Sequence, residues 1–342
     1  MTLYSCRLQR ALRCLPRSPV LSQYSLGLLT GALGVLFTSI LCILVIRIIS
    51  SRYGHDLFKP SIISYRKVPK GPRILCMVST APVNYRTKAV HVAATWAGRC
   101  DHTVFLSSTH GGLNYWSDQY VAGLNIMEVP AGNLRADMWD RVKLGLKRIW
   151  KTYGGEFDFL VKADDDTYLI IENLKHKLSS INPREKMILG HYQQDQNISY
   201  MSGGSGYVIS AAGVQSMVEQ GLAGQKPCLK FSQQMELEDD EDVQIGACAK
   251  VLDFKVYTSE TEGKITFFPF KLETFLIPEL VNSWWRSHSL ECREKFLMNC
   301  ASDFPISFHY VTPVEMYRLE YLLYRVKIFH PAEEIEQKPQ IL

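Results

Sequence analysis

From residue 73 onward the chain alternates short apolar runs with segments of helical period. Residues 74–78 are apolar throughout and predict a buried strand, and residues 86–96 predict an amphipathic helix with Ala89, Val90, Ala93 and Ala94 on one side. Residues 103–106 and 125–129 read as a second and third strand around a Gly/Ser/Asn-rich loop, and residues 138–150 as a helix. The run 157–161 predicts a fully buried fourth strand, followed by a helix over about 170–178. Beyond it, residues 187–189 and 207–209 look like short strands, residues 211–219 like a helix, and an apolar helix starts near Val243. Strands alternating with helices predict an α/β domain around a mostly parallel sheet, with ligands gathering at the carboxyl ends of its strands. There are no internal repeats and no low-complexity segments.

The pattern upstream is different. Residues 26–46 form an uncharged apolar run, long enough to cross a hydrocarbon core of ~30 Å. Arg7, Arg10, Arg13 and Arg17 precede it, while Arg47, Arg52 and Lys59 follow, a bias that favours a cytoplasmic amino terminus. No small-residue cleavage site follows Cys42, so the run reads as a signal anchor. The expected organisation is a tail over 1–25, a transmembrane helix over 26–46, a charged, Pro- and Gly-containing stem over 47–72, a lumenal domain over 73–330 and a tail over 331–342. The formal net charge of +4 is concentrated at the flanks of that run, which points to a membrane rather than to nucleic acid.

Of nine cysteines, Cys76, Cys100, Cys228, Cys248, Cys292 and Cys300 form an even lumenal set. They suit a disulfide framework better than zinc, because no Cys-x-x-Cys pair occurs. Asn197-Ile-Ser199 is a glycosylation sequon.

The chemistry concentrates at Lys162-Ala-Asp-Asp-Asp-Thr-Tyr168. Three adjacent carboxylates at a strand end repel one another, and a divalent cation carrying phosphate oxygens relieves that repulsion. In an extended segment Asp164 and Asp166 share a face while Asp165 points away, which suits an Asp-x-Asp metal and sugar-nucleotide site. The alternative is an acidic turn with Asp166 or Thr167 capping the next helix. Tyr200-Met-Ser-Gly-Gly-Ser-Gly206 is either a plain tight turn or a loop allowing close backbone approach to a ligand. The acidic run at residues 236–242 is either a solvated face or the source of a general base at the start of the following helix.

Taken together, Arg73-Ile-Leu-Cys76, His91-Val-Ala-Ala-Thr-Trp-Ala-Gly-Arg-Cys100, the aspartate segment, Tyr200 to Tyr207, Glu241-Asp-Val-Gln-Ile-Gly246 and Ser307-Phe-His-Tyr-Val311 resemble the core 1 β1,3-galactosyltransferases of glycosyltransferase family 31. The resemblance implies a GT-A fold, a single-pass type II Golgi membrane protein, UDP-galactose as donor and manganese as cofactor. It also implies inverting transfer onto O-linked N-acetylgalactosamine of glycoproteins, and a homodimer. It gives Asp242 the role of base, Asp164 and Asp166 the metal, and Ser79, Thr80, Arg135, Trp139, Asp165, Gly203 and Gly204 the nucleotide pocket. Trp284 or Trp285 would face the acceptor. The pairs Cys76–Cys100, Cys228–Cys248 and Cys292–Cys300 are expected with it.

Three departures stand out. After Phe267-Phe-Pro-Phe270 the family places a histidine in the metal shell, whereas here the chain reads Lys271-Leu-Glu-Thr-Phe275, leaving Glu273 or water as the substitute. A Cys-Cys pair of the family reads Cys300-Ala301, and its Gly-Arg-Asp stretch reads Leu134-Arg135-Ala136. Stretches Ala136-Asp-Met-Trp139 and Ile188-Leu-Gly-His191 echo a non-catalytic chaperone of the same family. The sequence therefore leaves two alternatives to the galactosyltransferase: a diverged transferase with another donor or acceptor, and a chaperone.

Overall fold

A computed structural model describes residues 39–41, 43, 70–109, 121, 123–195, 198–223, 227–228, 240–277, 288–291 and 299–328. The chain divides into two units, Met1–Ser61 and Ile62–Leu342. Of the first, only four helical, solvent-exposed residues are described. The expected membrane span thus lies almost entirely outside the described residues, among which no helix is long and apolar enough to cross a membrane.

The second unit is a mixed α/β domain. Its strands are β1 (Ile74–Ser79), β2 (His102–Ser108), β3 (Ile126–Val129), β4 (Phe159–Asp164), β5 (Tyr168–Leu169), β6 (Met187–Gly190), β7 (Tyr192–Asp195), β8 (Ile198–Met201), β9 (Tyr207–Ser210), β10 (Lys255–Thr258), β11 (Phe267–Phe268) and β12 (Ser307–Phe308). Seven of them form one sheet in the order β10-β6-β9-β4-β1-β2-β3. Every neighbouring pair is parallel except the two that involve β9. Strands β11, β12 and β5 form a second small sheet, and β7 pairs with β8 as a hairpin.

The continuous apolar runs follow from burial on both faces of the sheet. Ile74, Cys76 and Val78 of β1, with Phe159 and Val161 of β4, pack into one core beneath the helices Val90–Ala94, Ile171–Leu178 and Pro313–Tyr324. Leu75, Met77 and Leu160 pack into the other, with Val142, Leu146 and Ile149 of the helix Met138–Tyr153 and Ile245 and Cys248 of the helix Glu241–Val251. The segment expected as one amphipathic helix is broken into a π-helical turn, Tyr85–Ala89, and the α-helix Val90–Ala94. It buries Tyr85, Ala89, Val92 and Trp96 rather than Ala93 and Ala94, because the packed face of a helix recurs every three to four residues.

Disulfides join Cys76 to Cys100 and Cys228 to Cys248. Cys300 is also disulfide-bonded, and its expected partner Cys292 lies outside the described residues, as does Asn197. The carboxyl-terminal helix is tied down by a buried ion pair from Arg99 to Glu320, whose carboxylate also accepts from the Tyr168 hydroxyl at 2.9 Å.

Candidate active site

The sheet brings one edge together from distant stretches. β4 ends at Asp164, and Ser79 at the end of β1 lies opposite it in the ladder. Because β9 runs the other way, its first residue, Tyr207, pairs with Lys162, so the glycine loop before β9 lies at the same edge. The helix Glu241–Val251 starts there too, where Asp242 Oδ2 accepts the Gly203 N–H at 2.8 Å.

The three aspartates part company. Asp164 is the last strand residue, and the chain turns tightly, with the Thr167 N–H donating to the Asp164 carbonyl at 3.1 Å. Asp165 turns inward. Its Oδ2 accepts from Thr80 Oγ1 at 2.8 Å and from Asn84 Nδ2 at 2.9 Å, and Lys88 Nζ lies 3.2 Å from its Oδ1. Burial pushes the Asp165 pKa up, with Lys88 and Thr80 pulling against it. Asp164 and Asp166 face a common space, as alternation predicts, although it is the turn rather than an extended strand that aims Asp166. The capping alternative does not hold: the next helix begins at Ile171 after Ile170, with no side-chain cap, and the Thr167 hydroxyl donates instead to the Gly204 carbonyl at 2.7 Å.

A third donor completes that space. Ligand atoms of Asp164, Asp166 and His309 lie within 4.8 Å of one another. The histidine that the family places after Phe270 is absent, and it is His309, not Glu273, that the fold brings to the two aspartates. Glu273 is solvent-exposed on the short helix Leu272–Leu276 and stands apart from this group. His309 is delivered by strand pairing, since β12 runs antiparallel to β5 with Phe308 opposite Tyr168. The Val311 N–H also donates to the Asp166 carbonyl at 2.8 Å. His309 Nδ1 lies 3.0 Å from the Pro269 carbonyl, which can only accept, so that nitrogen donates there and Nε2 faces Asp166 Oδ1, 3.5 Å away. His309 and Lys88 outweigh the effect of burial and hold the Asp166 carboxyl down at about 2.

Two carboxylates and one imidazole suit a divalent cation of the manganese type. Asp164 Oδ1 is buried and ion-paired with the Lys162 ammonium at 2.8 Å, which leaves its carboxylate charged toward the shared space. The glycines are shaped to this arrangement. A Cβ on Gly204 would overlap the His309 ring, and Gly206 holds φ +81° with its Cα facing the Lys162 carbonyl. Gly204→Ala is accordingly expected to expel His309 and weaken Mn²⁺-dependent binding of nucleotide at least about tenfold, at an unchanged melting temperature. Calorimetric titration with and without Mn²⁺ measures it.

Across the same dipeptide sits Asp242, whose Cβ is 3.2 Å from the position a Gly203 Cβ would take. Burial lifts the Asp242 pKa, against the Gly203 N–H and the charge of Lys162, which lower it. Its neighbour Glu241 is fully buried, accepts from the Tyr207 hydroxyl and lies 3.2 Å from Lys162 Nζ. Burial by itself depresses the Lys162 pKa, but Asp164 and Glu241 outweigh it, so this lysine is held above its usual value and stays charged.

The remaining expected residues scatter. Ser79 and Thr80 are buried beside the aspartates, with the Ser79 hydroxyl lacking a hydrogen-bond partner among the described residues. Arg135 is solvent-exposed and pairs with Asp240, the residue before the Glu241–Val251 helix, at 3.2 Å. Trp139 is buried in the core on the face that holds the helix Glu241–Val251. Trp284 and Trp285 lie outside the described residues. Sequence reading missed Tyr310, which is half-exposed at φ +55° and stacks on His309 with ring centroids 3.8 Å apart. Positive φ in a bulky residue is uncommon and leaves no local sequence signal.

Comparison with known proteins adds three findings. A family model described as Fringe-like matches residues 71–262. The glycoprotein-N-acetylgalactosamine 3-beta-galactosyltransferase 1 of Xenopus laevis is 32% identical over 268 residues, covering 76% of this chain and 69% of the relative. Among solved structures, an active-site mutant of LgtC superposes with a TM-score of 0.42 at 12% identity, over 69% of this chain and 86% of that one. The galactosyltransferase LgtC in complex with donor and acceptor sugar analogs gives 0.40 at 12%, over 74% and 97%. Structural likeness of that size carries no argument by itself.

Proposed function

Because this chain belongs to the Fringe-like family, as a divergent relative of the glycoprotein-N-acetylgalactosamine 3-beta-galactosyltransferases, we propose that it is a metal-dependent, inverting galactosyltransferase of GT-A architecture. In this reading galactose moves from UDP-galactose, in β1,3 linkage, onto O-linked N-acetylgalactosamine of glycoproteins. The observation that carries the reading is the meeting of Asp164, Asp166 and His309 on one side of Gly203–Gly204 with Asp242 on the other. That arrangement supplies a cation-binding group and a carboxylate base on either side of the Gly203–Gly204 dipeptide.

The chemistry divides between those sides. Asp164, Asp166 and His309 would hold the manganese, which neutralises charge on the departing diphosphate. Asp242 takes the proton of the acceptor hydroxyl as its oxygen forms a bond to the anomeric carbon. The bond from that carbon to UDP breaks on the opposite face, the electron pair leaves with the diphosphate, and the configuration inverts. The Gly203 N–H fixes Asp242 Oδ2 and the Val243 N–H donates to Oδ1 at 3.0 Å, which orients the carboxylate while each oxygen keeps a further lone pair. Asp165, held by Thr80 and Asn84, shapes the nucleotide side.

We further propose Golgi residence as a single-pass type II protein with this domain in the lumen, and a homodimer. The test is direct. The full-length chain from a eukaryotic secretory host is incubated with Mn²⁺, UDP-galactose and a peptide carrying O-linked N-acetylgalactosamine, and the product is weighed. The expected result is a hexose added, with loss on chelation. Turnover of a different UDP-sugar moves the assignment to a diverged transferase. A folded chain with no turnover and no metal-dependent UDP binding would favour the chaperone.

A further inference from the structure

One buried ammonium touches every part of the site. The Lys162 side chain is only 2% exposed, and its Nζ lies 2.8 Å from Asp164 Oδ1 and 3.2 Å from Glu241 Oε2. It also donates to the Gly203 carbonyl at 3.4 Å. The N–H of that same glycine holds Asp242. The three contacts belong to three different elements: the strand carrying the first aspartate of the metal group, the loop carrying Gly203, and the helix whose first turn carries the base. Strand pairing fixes the first and second relative to each other, through Lys162 opposite Tyr207. The helix start lies outside the strand ladders, and the side chain of Asp240 before it meets the exposed Arg135. Glu241 anchors it between Lys162 and the Tyr207 hydroxyl, beside the bond from the Gly203 N–H to Asp242.

We infer that Lys162 is a positioning residue: by clamping Asp164, the Gly203 carbonyl and Glu241 to one ammonium, it sets the separation between the base Asp242 and the departing diphosphate. This rests on the transferase reading above. Lys162 is too deeply buried to reach substrate, so its effect passes through Asp242 and Asp164. Glu241 is its counterpart on the helix and fills no role in the transfer itself. A buried cation with several anions about it costs desolvation, which a purely apolar core would avoid. Its placement where base and metal strand meet is accounted for by geometry, since a misplacement of ~1 Å at the reacting atoms is worth about 100-fold in rate.

The test uses the full-length chain and three variants, Glu241→Gln, Lys162→Arg and Lys162→Met. Glu241→Gln keeps shape and retains an oxygen to accept from Tyr207, so it is the variant expected to fold. Melting temperature, affinity for UDP in saturating Mn²⁺, and kcat with the best UDP-sugar are measured for each. The expected result for Glu241→Gln is a fall in kcat of about 10- to 100-fold, with UDP affinity within about threefold of wild type. Lys162→Arg is expected to recover part of the rate lost in Lys162→Met. A kcat within about twofold of wild type in Glu241→Gln overturns the inference. So does a rate loss matched by an equal loss of UDP affinity, which would mark an effect on the metal group alone, or one matched by lost folded fraction. A wild-type chain with no turnover on any donor overturns the transferase reading, and the positioning role with it.

Discussion

Asp242→Asn is expected to remove transfer almost completely, by about 100- to 10,000-fold in kcat, while UDP binding in Mn²⁺ stays near wild type. The asparagine still offers an oxygen to the Gly203 N–H, which keeps the loop against the helix start, while the Val243 N–H loses its side-chain acceptor. What disappears is the proton acceptor. The pH profile of the native chain carries the same signature. Burial lifts the Asp242 pKa above its ordinary value of 3.8, and only the ionised form accepts a proton, so kcat/KM rises with pH through that lifted value. The sign for stability is opposite. Between the unfolded and the higher folded pKa the native state holds more protons than the unfolded state, so stability falls as pH climbs through that window. Retained turnover would take Asp242 out of the base role.

Much of the frame was legible because its strands are buried on both faces and read as plain apolar runs. β1, β2, β3, β4, β6 and β9 all lie where such runs stand, and their alternation with helices predicts the parallel core of the large sheet. The strands that escaped are of another kind. β10 is an exposed edge, and β7 reads Tyr-Gln-Gln-Asp. β5, β11 and β12 are two residues long and too short to carry any period. The same limit governs the site. Asp164 and Asp166 announce themselves as neighbours in sequence, whereas His309 reaches them only through the pairing of β12 with β5. A family pattern pointed to a histidine near residue 273, and the fold supplies one from a stretch that resembled the family for no assigned reason. Lys162 was equally silent. It lies inside the aspartate segment, yet its partner Glu241 belongs to a helix on the far side of the glycine loop.

That non-local delivery makes His309 the residue on which the metal group stands or falls. Removing a group that merely orients a ligand typically costs about 10–100-fold in metal affinity, so loss of a direct ligand is expected to cost at least about 100-fold. His309→Ala should therefore abolish the Mn²⁺-dependent part of UDP binding, and Asp166→Ala should do the same, since the two side chains face each other at 3.5 Å. Glu273→Ala is the contrasting variant. Its carboxylate is solvent-exposed on the Leu272–Leu276 helix, and its removal should leave UDP affinity within about twofold, as surface changes generally do. Calorimetry with UDP, run with Mn²⁺ and with chelator, separates the cases. The reverse pattern, with Glu273→Ala losing the metal-dependent affinity and His309→Ala retaining it, would return the metal to the exposed helix. UDP binding unaffected by metal in the wild-type chain would dissolve the group altogether. The protonated Nδ1 of His309 sharpens the test further. His309→Gln keeps a polar side chain of similar reach, but it offers an amide oxygen in place of the imidazole nitrogen that the Pro269 carbonyl orients. An intermediate loss for that variant, smaller than for His309→Ala, is the outcome expected of a ligand that binds through Nε2.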